Sequence, residues 1–270
     1  MITSQQLNRY YTQFADIEVT FTRQVAQTLR ILPKFVFLKC QADTLPCIIY
    51  STSLREAKVI ANLRVQSLRL LQQADGAVAL RFCFARADQG EKLAFFVGAK
   101  ITGLTAYNKN DPELYFVSLE YTQRPPDDLI EMLGELLEAN VNAQKRAEVR
   151  IDLSPASQKS LGLESREVPI TVGGNESRCI VRDLSFSGAK VLVYGQGASF
   201  TDQSVVLHLP FADSPHPLRL AGKVVRWEAV ANRDDIGAIG ILFDQAQVPM
   251  PYKLAINSCL RQRPNLPDRK

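Results

Sequence analysis

The sequence predicts a mainly β fold with peripheral helices: two small antiparallel β-barrels in tandem, each followed by a helix. Three observations carry this. Short apolar or alternating runs recur along the chain, separated by turn residues. The phrase CIIYSTSLREAKV at 47–59 is written again as CIVRDLSFSGAKV at 179–191. Around each copy, the same kinds of segment follow in the same order.

Residues 1–32 read as helical or partly strand-like, with no firmer placement. The repeated phrase then aligns Cys47 with Cys179, Ile48 with Ile180, Ser53 with Ser185, and Ala57, Lys58 and Val59 with Ala189, Lys190 and Val191. VALRFCFA (78–85) answers VVLHLPFA (205–212), and a polar loop follows each, RADQGEK or DSPHP. LAFFVGAKITGL answers LRLAGKVVRW, with Lys100 and Ile101 opposite Lys223 and Val224. YFVSLEY (115–121) answers GAIGILF (237–243). Each half closes on apolar residues at helical spacing: Leu129, Ile130, Leu133, Leu136 and Leu137 in one, Leu254, Ile256, Cys259 and Leu260 in the other. Ordered matches of this kind argue for two copies of one barrel-plus-helix unit. The expected domains are 1–140 and 150–270, joined by a linker at 141–149. The tail RQRPNLPDRK is basic and interrupted by proline, and is expected to fray.

Composition narrows the function. The chain has 270 residues, ordinary hydrophobic and charged fractions of 46% and 22%, and a net charge of +4. This mild basicity admits an anionic ligand without requiring one. MITSQQLNRYYTQF has no basic leader followed by an apolar run, so no signal peptide is expected. No apolar run is long enough to span a bilayer. Cys40, Cys47, Cys83, Cys179 and Cys259 are scattered and read as buried free thiols of a cytoplasmic protein. His208 and His216 are the only histidines, so neither a metal site nor a histidine-based triad is expected. The glycine patterns of nucleotide-processing and hydrolytic enzymes are absent, and the protein is read as a non-enzyme.

Two short motifs carry candidate chemistry: R-x-x-x-R at Arg146 and Arg150, and D-x-S-x-x-G at Asp183, Ser185 and Gly188. An arginine fork can clamp a phosphate or bond O6 and N7 of guanine bidentately. A carboxylate such as Asp183 can accept from the N1 and N2 donors of guanine. Ser185 adds a small donor and acceptor, and Gly188 would allow a positive φ or close approach of backbone to ligand. Together these groups suit a guanine nucleotide with two phosphates. Each motif alone is weak, because paired arginines beside an aspartate also form surface ion-pair clusters and D-x-S-x-x-G is a common turn. Trp227, the only tryptophan, reads equally as a stacking platform or a barrel-edge aromatic and stands outside the candidate site.

The order R146-A-E-V-R150, RDLSFSGAKV, GKVVRW, IGILF resembles a PilZ domain, the bacterial receptor module for cyclic di-GMP, over about residues 141–262. The resemblance implies a six-stranded barrel. It also implies that Arg146 and Arg150 lie on a flexible segment ahead of the barrel and grip phosphates and guanine, while the Asp183 strand contacts a guanine edge. Lys145, just before the first arginine, goes in that family with two stacked ligands per domain. The first half, through FTRQV, PCIIYSTSLREAKVIANL, FFVGAK and PPDDLIEMLGELLE, resembles the companion domain of two-domain PilZ receptors. Ser51 stands there for Asp183 and Glu56 for Gly188, so the first barrel is not expected to bind the nucleotide in the same way.

The expected protein is therefore a cyclic di-GMP effector, without a further cofactor. Ligand capture on the inter-domain segment would change the domain arrangement and so alter the surface offered to an unidentified downstream protein. The alternative partner is single-stranded nucleic acid, bound by tandem small barrels through a basic groove with aromatic platforms. Most aromatics here sit in apolar runs, which predicts core positions rather than platforms.

Overall fold

The computed structural model describes residues 3–86, 91–108, 111–194, 200–231 and 233–262, with the side chain of Asp234 left out. The chain divides into two units, Met1–Leu137 and Glu138–Lys270. In the first, the order is α1 (Ser4–Phe14), β1 (Val19–Thr20), α2 (Arg23–Thr28), β2 (Phe37–Cys40), β3 (Asp43–Thr52), β4 (Glu56–Asn62), α3 (Val65–Gln73), β5 (Ala77–Ala85), β6 (Lys92–Asn108) and β7 (Asp111–Tyr121). Helix α4 (Asp127–Lys145) contains the division. The second unit continues with β8 (Ile151–Asp152), α5 (Pro155–Leu161), β9 (Glu167–Val172), β10 (Asn175–Leu184), β11 (Gly188–Tyr194), β12 (Ser204–Leu209), β13 (Leu218–Val230), β14 (Arg233–Phe243) and α6 (Met250–Arg261). The expected tail lies, from residue 263 on, outside the described residues, as do residues 87–90 of the first polar loop.

Both units are closed antiparallel barrels with one topology. Strands β3-β4-β7-β6-β5-β2 return to β3, with β1 added to β3. Strands β10-β11-β14-β13-β12-β9 return to β10, with β8 added to β10. Closure removes exposed sheet edges. The repeat read in the sequence holds at the level of register. Cys47 pairs with Ala61 as Cys179 pairs with Val193, and Thr52 with Ala57 as Leu184 with Ala189.

The correspondence extends into residues 1–32, which the sequence left unplaced. Val19 pairs with Thr52 as Ile151 pairs with Leu184. Thr22 caps α2 by accepting from the Val25 amide, as Ser154 caps α5 from the Ser157 amide. Isolated bridges join Ile31 to Phe84 and Leu163 to Phe211. The first 32 residues are thus not an appendage but the opening of the first copy.

Alternation builds the cores. Strand β4 buries Ala57, Val59 and Ala61, and β11 buries Ala189, Val191 and Val193. All five cysteines are free and buried. Cys47 and Cys179 occupy equivalent inward positions, where burial pushes each thiol up to about 12. Among the described residues, no helix is long and apolar enough to cross a membrane.

Helix α4 meets α1 at a point of very close approach. A Cβ on Gly134 would lie 2.2 Å from Cδ2 and 2.4 Å from Cγ of the fully buried Tyr10. In an open helix, Gly→Ala stabilises by about 1 kcal/mol. Here the expected sign is reversed. Gly134→Ala should destabilise the first unit by about 1–3 kcal/mol through overpacking, read as a lower midpoint in urea denaturation.

Candidate ligand-binding site

The site is assembled where α4 ends and β8 joins β10. Helix α4 is anchored here against α6. The Asn142 side-chain amide donates to Asn257 Oδ1 at 2.7 Å, and Asn257 in turn donates to Glu138 at 3.2 Å. Lys253 Nζ reaches Asn140 Oδ1 at 3.4 Å, and desolvation lowers the Lys253 pKa. Of the expected linker 141–149, residues 141–145 are the last turns of this anchored helix, and the chain then turns through 146–148.

Lys145 and Arg146 therefore leave a fixed helix terminus, where cations complement the helix dipole. Both are exposed. Among the described residues, neither makes a side-chain hydrogen bond or ion pair. Arg150 differs. Its Nη1 lies 2.7 Å from Asp183 Oδ1, which joins the two motifs directly.

A bulge makes Asp183 available. Val181 faces Val191 in the core, and the register then shifts so that Asp183 pairs with Lys190 rather than continuing inward. Cross-strand partners share a face. The extra residue, Arg182, thus re-aims the carboxylate out of the apolar interior. The first barrel has the same bulge, between Ile49 and Ser51. On the outer face, Lys190 bonds Glu228 at 2.6 Å and Arg226 bonds it at 2.8 Å. The Lys190 hydrogen bond, with the charges of Lys190 and Arg226, lowers the Glu228 pKa.

Ser185 and Gly188 shape the turn. Ser185 is fully buried, and its Oγ accepts from the Gly188 amide at 3.0 Å. The Ser185 amide donates to the Gly188 carbonyl at 2.8 Å, and the buried Tyr252 hydroxyl of α6 donates to the Ser185 carbonyl at 2.7 Å. Burial, followed by the charge of Asp183, holds the Tyr252 phenol well above its usual pKa. Of the two roles expected for Gly188, the positive φ is absent. Its missing side chain instead admits strand β14, because a Cβ there would lie 2.2 Å from the Ile241 carbonyl oxygen. Gly188 is thus needed for strand approach.

Sequence reasoning missed Ser187. Its hydroxyl donates to the Ala147 carbonyl at 2.9 Å and lies 3.2 Å from Glu148 Oε1, and its amide reaches the same carbonyl at 3.3 Å. This residue ties the turn between the arginines to the D-x-S-x-x-G turn. No sequence signal marked it: the equivalent pair in the first barrel is the ion pair Arg55–Asp16, at 3.2 Å, and that equivalence follows only from the strand register.

The rest of the first barrel's equivalent site has neither arginine. Phe14 stands for Arg146 and is buried. Glu18 stands for Arg150, and Ser51, in place of Asp183, donates to its carboxylate. Glu56 stands for Gly188. A phosphate would meet the Glu18 carboxylate there where the second barrel offers the Arg150 guanidinium.

Trp227 packs partly buried against the second core, with its indole nitrogen 2.2 Å from where a Gly237 Cβ would be. That nitrogen is buried without a hydrogen-bond partner among the described residues. Of the two readings, the structure favours the packed aromatic.

Comparison with known proteins agrees with this architecture. A family model described as a PilZN3 domain matches residues 5–140, and one described as a PilZ domain matches residues 144–255. A curated relative from Treponema denticola, described as a cyclic di-GMP binding protein, is 40% identical over 254 residues, covering 94% of this chain and 81% of its own. Among solved structures, Borreliella burgdorferi PlzA in complex with c-di-GMP aligns at 20% identity over 95% of this chain and 98% of that one, with a TM-score of 0.43. The Bacillus subtilis inhibitor of motility (MotI/DgrA) aligns at 13% identity over 86% and 96%, with a TM-score of 0.31. The two domain matches and the Treponema relative carry the assignment: the chain belongs to the PilZ family, as a PilZN3 domain followed by a PilZ domain.

Proposed function

We propose that this protein is a cyclic di-GMP effector that takes the ligand at Arg146, Arg150 and Asp183 of its second barrel, with Lys145 at the rim. The observation that carries the reading is the Arg150–Asp183 pair at 2.7 Å, four residues from exposed Arg146, whose side chain has no partner among the described residues. It joins a phosphate-binding fork, a guanine-edge acceptor and a second free fork in one place. The ligand described for the Treponema relative supports it. Ser185 and Gly188 shape the turn rather than touch the ligand, and no catalytic role is assigned to any residue. The compartment is the cytoplasm, in keeping with buried free thiols.

Isothermal titration of the full chain with cyclic di-GMP tests the reading. Saturable heat is expected, with a stoichiometry of two ligands if Lys145 supports a stacked pair. No heat would sink the proposal. Capture should also immobilise residues 146–150 and alter the arrangement of the two units. Small-angle scattering with and without ligand checks this. Superimposable curves would remove the switch while leaving binding intact.

Ser187→Ala is expected to lower cyclic di-GMP affinity about fivefold to tenfold, because the arginine turn loses its tie. The cost to stability should be about 1 kcal/mol, the net worth of such a hydrogen bond. Ser187→Thr should restore most of the affinity. Titration and thermal melting of both variants check this.

A further inference from the structure

The first barrel carries a surface that neither motif reaches. Phe37 of β2, Arg81 of β5 and Phe96 of β6 are cross-strand partners in one row. Neighbouring strands therefore present ring, cation, ring on a single face. The Phe37 and Phe96 rings meet edge to face, with centroids 6.0 Å apart. The Arg81 guanidinium lies 5.2 Å from the Phe37 centroid, and its Nη1 donates to the Phe35 carbonyl at 2.8 Å. Lys92 Nζ sits 3.6 Å over the Phe35 ring, and Lys39 Nζ lies 5.9 Å from that of Phe96. Among the described residues, no carboxylate forms an ion pair with Lys39, Arg81 or Lys92. Two exposed carboxylates lie close in the chain, Glu91 just before Lys92 and Asp43 opposite Cys40, the residue after Lys39.

The duplicated fold supplies its own control. The matching row of the second barrel is Pro169, His208 and Arg219, and Glu167 and Thr171 stand where Phe35 and Lys39 stand. The second barrel keeps a cation, Arg219, in this row but no phenylalanine, so barrel architecture does not require the aromatic rings here. Phe35 and Phe96, 37% and 44% exposed, are exceptions to the expectation that most aromatics occupy core positions.

We propose that this face of the PilZN3 barrel binds single-stranded nucleic acid. Each cation now rests on or beside a ring. A phosphate would draw the cation to itself and leave the ring face to a base, so one exchange satisfies both partners. Stacking of this kind tolerates any base, and binding would be governed by charge rather than sequence. A bilayer fits less well. The rings are less than half exposed and rest on a rigid sheet, so they cannot insert deeply.

The test is fluorescence anisotropy of the full chain with a labelled mixed-sequence RNA of about 20 nucleotides, without cyclic di-GMP. Three phosphate contacts predict a roughly 20-fold loss of affinity between ~50 and ~200 mM salt. Lys39→Gln with Lys92→Gln should weaken binding and flatten that salt dependence. Phe35→Ala with Phe96→Ala should weaken it about tenfold or more and leave the salt dependence steep. The lysine pair contributes no core packing and decides the matter if the phenylalanine pair fails to fold. Cyclic di-GMP titration of each variant reports separately on the second barrel. Absence of RNA binding at low salt, binding indifferent to the lysine pair, or capture by phosphatidylserine vesicles without RNA binding would each overturn the proposal.

Discussion

Replacing Arg146 and Arg150 together by alanine is expected to abolish measurable cyclic di-GMP binding, while each single change acts differently. Arg146 is exposed and has no side-chain partner in the described structure, so Arg146→Ala should leave stability unchanged. Its whole effect should appear in affinity. Arg150 pairs with Asp183, whose side chain is only 11% exposed, against 45% for the arginine. Arg150→Ala therefore removes a ligand contact and also leaves a mostly buried carboxylate alone. Because the arginine is nearly half exposed, solvent screens the pair, and the stability cost should stay near ~1 kcal/mol. A charge-assisted hydrogen bond is worth about 1.5–3 kcal/mol. Loss of two such contacts corresponds to a weakening of about a hundredfold to ten-thousandfold. Arg150→Lys should keep the Asp183 partner but lose the bidentate fork, and so fall between wild type and alanine in affinity. Titration paired with thermal melting separates these effects. Undiminished binding by the double variant would place the ligand elsewhere.

What could be read from the sequence follows the physics of each residue. The repeated phrase was legible because core positions at period two preserve their apolar character, so Cys47 and Cys179, and Val59 and Val191, still match. The R-x-x-x-R motif was legible because charged side chains on a connecting segment have no packing reason to recur. The opening of the first copy was not. Phe14 and Glu18 share no chemistry with Arg146 and Arg150, and only the pairing of Val19 with Thr52 reveals their equivalence. The bulge at Arg182 was also hidden, because alternation read without register places Asp183 on the core side. The exposed phenylalanines misled in the opposite sense. Phe35, Phe37 and Phe96 lie in apolar runs, yet the pleat turns Phe37 and Phe96 outward, and Phe35 follows Pro33 in a short helical turn outside the sheet.

Gly188 joins fold and site, and Gly188→Ala is the single substitution expected to damage both. The added Cβ would lie 2.2 Å from the Ile241 carbonyl oxygen and 3.3 Å from its carbon, so backbone must move. The next strand offers little room, because Gly222 of β13 makes an equally close approach to the Leu242 carbonyl from the other side. Such overpacking costs about 1–3 kcal/mol or more. The first barrel carries Glu56 at the same register against β7, so the squeeze is particular to the second copy. Displacement of β11 would open the Ser185–Gly188 turn, closed at 2.8 and 3.0 Å. With it would move Ser187 and its 2.9 Å bond to the Ala147 carbonyl, and hence the turn that presents Arg146 and Arg150. Gly188→Ala should thus lower the unfolding midpoint of the second unit and weaken cyclic di-GMP binding well beyond Ser187→Ala. Its affinity loss should persist under conditions where the variant is fully folded by circular dichroism. If affinity is wild-type in the folded variant, the turn is not coupled to the arginines, and Gly188 serves the barrel alone.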